Sequence, residues 1–230
     1  MVLEKMFSNV VSNYDILNHI MTFGFDDRWR RAASMHIVAG EDVKVLDLGS
    51  GTGDLAFRIE DGATNGTQII ALDFSENMMR MASEKKRRRR SGVDLVVADV
   101  AALPMKSDSV DFITTSFSFR NLVYKNPNVE RFLTEIHRVL SPKGRFVILE
   151  SSQPDSPVFR KLFHMYARRY VPFVGGLVSG DKGAYRYLGT SMANFYESGE
   201  VKELLGNAGF KRIEYVPLSL GVAGIHVAEK

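Results

Sequence analysis

From residue 42 onward the hydrophobic positions fall into short blocks. VKVLDLG and the β-branched or leucine-rich runs after it alternate with stretches whose apolar residues recur at helical spacing. The blocks predict buried strands at Lys44–Leu48, Gln68–Asp73, Asp94–Ala98, Val110–Thr115 and Arg145–Glu150. Helices are predicted between them near 54–60, 75–90 and 127–140, the last placing Val129, Phe132, Leu133, Ile136 and Leu140 on one face. Apolar strands separated by helices require right-handed crossovers, so the pattern predicts a doubly wound, mostly parallel α/β sheet.

The flanks follow other rhythms. Before residue 42, Phe7, Val10, Val11 and Tyr14 recur at helical spacing, DDRWRRAASMHIV opens on aspartates that suit a helix start, and no strand pattern is present. After Glu150, SSQPDSP leads to a predicted helix Val158–Val171, a Gly/Pro loop VPFVGGLVSGDKG and a further helix Tyr185–Asn194. Helix Gly199–Ala208 is predicted to stop at Gly209, and KRIEYVPLSLG with VAGIHVAE to close the chain as a hairpin. A single domain results, with a helical cap over 1–41, a core over 42–150, a helical insertion over 151–198 and the last helix and hairpin over 199–230.

A length of 230 residues, 45% of them hydrophobic and 25% charged, suits one domain with a sizeable core. The absence of cysteine excludes disulfides and thiolate metal sites and fits a cytoplasmic protein. The start, MVLEKMFSNVV, lacks a signal-peptide pattern, and no apolar run is long enough to span a bilayer. Six basic residues form KKRRRR, Lys85–Arg90; without those six the net charge of +3 becomes −3. The basic balance is therefore local, and the run is expected to be a solvated helix end with no nucleic-acid partner.

The chemistry concentrates in LDLGSGTGD, Leu46–Asp54. In a doubly wound sheet the first strand-to-helix turn approaches the ligand closely, and Gly49, Gly51 and Gly53 leave the backbone there uncovered. The spacing is G-x-G-x-G rather than the dinucleotide G-x-G-x-x-G, no G-K-[ST] follows, and Asp54 is expected to repel a pyrophosphate. Asp47, just before the glycines, suits a cationic group. Asp73 ends the second strand where a carboxylate takes ribose hydroxyls, and Asp99 follows the third, where it can accept from an exocyclic amine. A ligand with adenine, ribose and a cationic tail but no phosphate is S-adenosylmethionine.

Further blocks resemble the ubiquinone/menaquinone biosynthesis C-methyltransferase family over nearly the whole chain. MFSNVVSNYDILNHIMTFGFDDRWRR is similar to its N-terminal signature, VLDLGSGTGDLA to its cofactor loop and TTSFSFRNLVYKN to its S-F-G-x-R-N block. HRVLSPKGRFVILESSQP, GLVSGDKGAYRYLGTSMANF and the ending AGFKRIEYVPLSLGVAGIHVAEK extend the likeness. It implies a class I, Rossmann-like methyltransferase that moves a methyl group from S-adenosylmethionine to a ring carbon of a polyprenylated quinol. The product is menaquinol from demethylmenaquinol, or the methylated benzoquinol precursor of ubiquinone. Carried onto matching positions, Thr52, Asp73, Asp99 with Val100, and Ser116 contact the cofactor. Arg120 positions the quinol oxygen or a base water, and Asn121 orients the same oxygen. Tyr14 and Tyr185 are assigned to the substrate side. Ser118 stands for the family's usual glycine, Ser151 for its phenylalanine and Tyr196 for a proline; all three are expected near the substrate and leave the choice of quinol open.

A polyprenyl tail lives in a bilayer, so a surface that visits one is expected. In Val158–Val171, Phe159, Leu162, Phe163, Tyr166 and Tyr170 form one stripe opposite Arg160, Lys161, His164 and Arg168. That pattern serves a lid over the domain or transient contact with an anionic inner membrane face. Three alternatives stay open, a C-methyltransferase with another small acceptor, an RNA methyltransferase drawn by KKRRRR and an S-adenosylmethionine-binding regulator without catalysis. A homodimer is the base-rate expectation for assembly.

Overall fold

The structure is a computed structural model that describes residues 14–38 and 40–230, apart from the side chains of Tyr14 and Ser179. The predicted helical positions Phe7, Val10 and Val11 lie outside the described residues. Seven strands form one sheet: β1 Lys44–Leu48, β2 Gln68–Asp73, β3 Asp94–Val97, β4 Val110–Ser116, β5 Leu140–Ser151, β6 Lys211–Leu218 and β7 Ala223–Glu229. Their order is 3-2-1-4-5-7-6. Strands β1 to β5 are parallel, and β7 runs antiparallel between β5 and β6.

Alternate residues of the strands feed two cores. Leu46, Leu48, Leu72, Ile113, Phe146 and Ile148 pack on one face. There they meet helices α5 Phe119–Val123, α6 Val129–Val139 and α10 Ser198–Asn207. Val45, Ala71, Phe112, Val147 and Leu149 face the other way. They are covered by α2 Phe25–Ser34, which follows α1 Tyr14–Met21, and by α3 Asp54–Gly62. Burial on both faces is why these strands read as continuous apolar runs. Most predicted boundaries hold within one or two residues. The fifth strand starts earlier, because Leu140 pairs with Val110 before a bulge returns the register at Arg145 and Phe112.

The insertion departs from the prediction. VPFVGGLVS is helical, not a loop: α7 Pro157–Met165 widens into a π turn at Tyr166–Tyr170 and continues as α8 Val171–Ser179. Pro172 has no N–H and crowds the carbonyl four residues back, and the wider turn just before it relieves that conflict. The glycines here let helices touch. A Cβ on Gly175 would lie 2.0 Å from Tyr185 Cγ, and one on Gly189, in α9 Lys182–Ala193, would lie 1.8 Å from the Ala167 oxygen.

That contact sets how α9 sits on the π turn. Gly189→Ala is expected to overpack it and lower the thermal midpoint by roughly 2–12 °C in a calorimetric scan, and an unchanged midpoint would contradict the close approach.

Candidate active site

The strand order reverses between β1 and β4, and the carboxyl ends of the strands there open a cavity of about 410 Å³. Gly49, Gly51 and Gly53 carry the chain from β1 to α3 at φ of 59°, 57° and 85°, values that glycine adopts without strain. A Cβ on Gly49 would lie 2.3 Å from Ser118 Oγ, and one on Gly53 would lie 2.7 Å from the Phe57 ring. At Gly51 the same atom would meet nothing within 4 Å, so the loop leaves room beside its backbone on the cavity wall.

Asp47 is fully buried on this wall. Its Oδ1 accepts a 2.7 Å hydrogen bond from Thr114 Oγ1, while Oδ2 and the neighbouring Ser50 Oγ have no partner among the described residues. Burial pushes the Asp47 carboxyl from the ordinary 3.8 up to about 7, against the lowering effects of Thr114 and Arg30. A carboxylate oxygen left without a partner is costly to bury, and a cationic ligand group removes that cost. The ammonium of S-adenosylmethionine supplies one, and the space at Gly51 admits its approach. The residues present fit that cofactor.

Asp54 needs a different account from the one its position suggests. Lys85 Nζ donates to Asp54 Oδ1 at 2.5 Å and to Thr52 Oγ1 at 2.9 Å, and pairs with Asp15 Oδ2 at 2.7 Å. Thr52 Oγ1 in turn donates to Asp15 Oδ1 at 2.6 Å. The charge of Asp54 is thus balanced within the protein, whereas Asp47 keeps an oxygen without a hydrogen-bond partner among the described residues. Lys85 is also the first residue of the basic run, which is not simply solvated. It ties helix α4 Glu76–Arg89 to the glycine loop and to α1. Arg89 pairs with Asp61 at 2.5 Å, and Lys86 to Arg88 occupy the last turn of α4, where the helix dipole favours cations.

The strand ends expected to hold the nucleoside are more open. Asp73 is buried behind the loop, its Oδ2 accepting from Gly51 N at 2.9 Å and its Oδ1 from Ser75 N at 2.8 Å. Burial raises its pKa, partly offset by those backbone donors. Asp99 is exposed and caps a short 3₁₀ turn through Ala101 N, while Val100 beside it packs into the core. Neither Asp73, Asp99, Val100 nor Gly53 lines the enclosed cavity, whereas Gly49, Gly51, Thr52, Ser116, Asn121 and Tyr185 do. Phe74, next to Asp73, presents an exposed aromatic face that periodicity did not single out.

Arg120 is buried at the far wall on α5, a helix of five residues that the pattern did not predict. Its Nη1 donates to Glu150 Oε1 at 2.7 Å and Ser151 Oγ at 2.9 Å, its Nε to Ser191 Oγ at 3.1 Å, and its backbone N to Glu150 Oε2 at 3.0 Å. Nη2 has no hydrogen-bond partner among the described residues. The guanidinium is therefore both ion-paired and held with one edge unspent. Tyr185 is buried under Gly175, and the side chain of Tyr14, the other predicted substrate-side tyrosine, lies outside the described residues. Of the three departures, only Ser151 lines the cavity. Ser118 lies beneath Gly49, bonded to Thr115 Oγ1 at 2.7 Å, and Tyr196 packs edge-on against Tyr124. The remaining walls are aromatic and aliphatic, among them Trp29, Phe117, Phe163, Tyr166 and Leu188.

A model of the ubiE/COQ5 methyltransferase family matches residues 2–230. A demethylmenaquinone methyltransferase of Thermus thermophilus is 39% identical over 98% of this chain and 100% of its own. A ubiquinone/menaquinone biosynthesis C-methyltransferase UbiE of Geotalea uraniireducens is 35% identical over 99% of this chain and 96% of its own. A crystal structure of a SAM-dependent methyltransferase from Aquifex aeolicus has the same fold, with a TM-score of 0.61 and 21% identity over 87% of this chain and 88% of that one.

The raised Asp47 pKa has a signed consequence. Between pH 4 and about 7 the folded, ligand-free protein holds a proton that the unfolded chain has lost, so this group's contribution to stability falls as pH rises through that window. At pH 8, Asp47→Asn is expected to raise the thermal midpoint of the ligand-free protein by a few degrees while weakening S-adenosylmethionine binding by about 10- to 100-fold in calorimetric titration. Unchanged affinity would remove Asp47 from the cofactor site.

Proposed function

The chain belongs to the ubiE/COQ5 methyltransferase family and is an S-adenosylmethionine-dependent enzyme, and from that premise we propose that it methylates a ring carbon of a polyprenylated quinol, demethylmenaquinol in the first instance. Arg120 carries this reading. A buried cation with an unspent edge faces an apolar cavity whose opposite end is the glycine loop and Asp47.

S-adenosylmethionine, when bound, supplies a methyl group on a positively charged sulfur. The protein prepares the acceptor. Arginine stays protonated at working pH, so Arg120 acts on the quinol oxygen as a fixed charge and not as a base. Its Nη2 favours loss of the hydroxyl proton and holds the phenolate that makes the adjacent ring carbon nucleophilic. Asn121, on the same wall, orients that oxygen. When bound, the cofactor would give its methyl to that carbon and leave as the neutral thioether S-adenosylhomocysteine, and the ring proton at the methylated carbon would pass to solvent at the cavity mouth as aromaticity returns. Opposite charges cancel on this path, so aromatic walls that exclude water favour it. Asp73 for the ribose, Asp99 and Val100 for the adenine edge, and Thr52 and Ser116 for the rest of the cofactor complete the assignment.

The tail leaves through a greasy rim. Phe159 and Leu162 line the cavity and are also 41% and 50% exposed, while Phe163 on the same helix turns inward. Ile16 and Ile20 on α1 and Phe173 and Leu177 on α8 add exposed apolar side chains. Stripe and lid are thus one element: α7 closes the cavity with one edge and offers the other to a bilayer at the inner membrane face. Arg160 is not part of that offer, because it holds Glu197 at 2.7 Å and the Pro154 carbonyl at 2.8 Å.

Arg120→Lys keeps a cation opposite Glu150 but loses the planar fork, and it is expected to lower kcat for methyl transfer to demethylmenaquinol by about 10²- to 10³-fold with S-adenosylmethionine affinity unchanged. A wild-type kcat would reduce Arg120 to a structural ion pair. In liposome flotation, Leu177→Glu combined with Phe173→Glu is expected to release the protein from anionic vesicles while turnover of a short-tailed quinol persists. Undiminished flotation would refute the rim as the membrane face.

A further inference from the structure

We propose that Leu220, in the turn between β6 and β7, is a specificity-determining residue that takes the first isoprenoid units of the acceptor's tail where they leave the cavity. This rests on the quinol reading and adds to it a residue from the closing hairpin. Topology delivers the turn to the site. Because β7 is antiparallel, it starts beside the carboxyl end of β5, where Ala223 pairs with Ser151. Ser151 Oγ accepts from Arg120 Nη1 at 2.9 Å, so the turn leaves the sheet at the Arg120 end of the cavity. Ser219, Leu220 and Val222 all line that cavity.

Three successive residues of the turn are left-handed, Ser219 at φ 46°, Leu220 at 61° and Gly221 at 86°. Glycine adopts such values freely, whereas a leucine there crowds its own backbone. Folding recovers little from the side chain in return, since Leu220 is 67% exposed. Its neighbours hold the strained backbone in place. Trp29 Nε1 donates to Ser219 Oγ at 2.9 Å, Ser152 N donates to the Val222 carbonyl at 3.0 Å, and a Cβ on Gly221 would lie 3.1 Å from Pro154 Cα. A strained apolar residue that borders a cavity and also faces solvent serves a ligand at the mouth better than it serves the fold. The wall beside it suits a plain hydrocarbon. Phe25, 40% exposed, stacks on Trp29, and Trp29 meets Phe117, with ring centroids 5.9 Å apart at both steps and all three rings lining the cavity. Pro154, against which Gly221 packs, leads into α7, so Leu220 adjoins the rim that Phe159 and Leu162 form.

The experiment is steady-state methyl transfer by the full chain to the demethylmenaquinol ring carrying a short isoprenoid tail and to the same ring carrying none. Wild type is expected to favour the tailed ring in kcat/KM. Leu220→Asn, which accepts a left-handed backbone but offers no apolar surface, is expected to cut that preference by about 5- to 20-fold, with the loss in KM for the tailed ring rather than in kcat. Leu220→Met is expected to keep most of it. The thermal midpoint of Leu220→Asn is expected to equal that of wild type or exceed it by a few degrees, because strain is relieved. A wild type active on both rings without preference, a preference that survives Leu220→Asn, or a kcat loss equal for both rings would overturn the assignment while methyl transfer to the quinol stands. A lowered midpoint would return Leu220 to a structural role. A wild type that methylates neither ring would overturn the quinol reading itself, and this proposal with it. Because the two rings are compared within one variant, a loss of folded protein alone does not mimic the expected result.

Discussion

One carboxylate that water does not reach organises this molecule. Asp47 sits at the end of the central strand with one oxygen bonded to Thr114 and the other unpaired. A folded chain keeps such a group at a cost in stability, and the cost is relieved when a cation arrives. The surroundings prevent an internal substitute. Lys85 is spent on Asp15, Thr52 and Asp54, and Arg30 is fixed by Asp26. Among the described residues, Asp47 Oδ2 is left without a hydrogen-bond partner.

The second buried charge is of the opposite sign and faces the same cavity. Arg120 is oriented by Glu150 from β5 and Ser191 from α9, so this end of the cavity is assembled from the sheet and the helical insertion together. The proposed reaction brings a positive methyl donor to a negative activated acceptor, and the cavity carries a buried carboxylate, Asp47, and a buried guanidinium, Arg120. Between them the walls are apolar, which lets the two reactants neutralise one another without water between. The π turn, Pro172 and the glycines of the insertion matter because they set those walls against the strand ends.

Much of this was legible in the chain. The strands were readable because both faces of each are buried, and LDLGSGTGD was readable because left-handed turns at alternate positions call for glycine. Asp47 and Arg120 were found by position in a motif, and both line the cavity. The partners were not found. Lys85 lies 33 residues from Thr52, and Ser191 lies 71 from Arg120, so no local spacing announces either contact. Lys85 was further hidden inside a run that reads as solvated charge. VPFVGGLVS misled in the opposite direction: proline and glycine signal a local break, yet Pro172 follows a π turn that accommodates it and Gly175 serves Tyr185 across the interface. Asp99 was placed by strand order and by the family resemblance, and its own bond to Ala101 is that of a cap.

The most direct measurement is the position of the transferred group. The purified protein, supplied with methyl-labelled S-adenosylmethionine and a mixture of demethylmenaquinol, the benzoquinol precursor and bulk RNA, should place the label on a quinol ring carbon, stable to treatments that cleave aryl methyl ethers. Label on a quinol oxygen, or in RNA alone, would contradict the account.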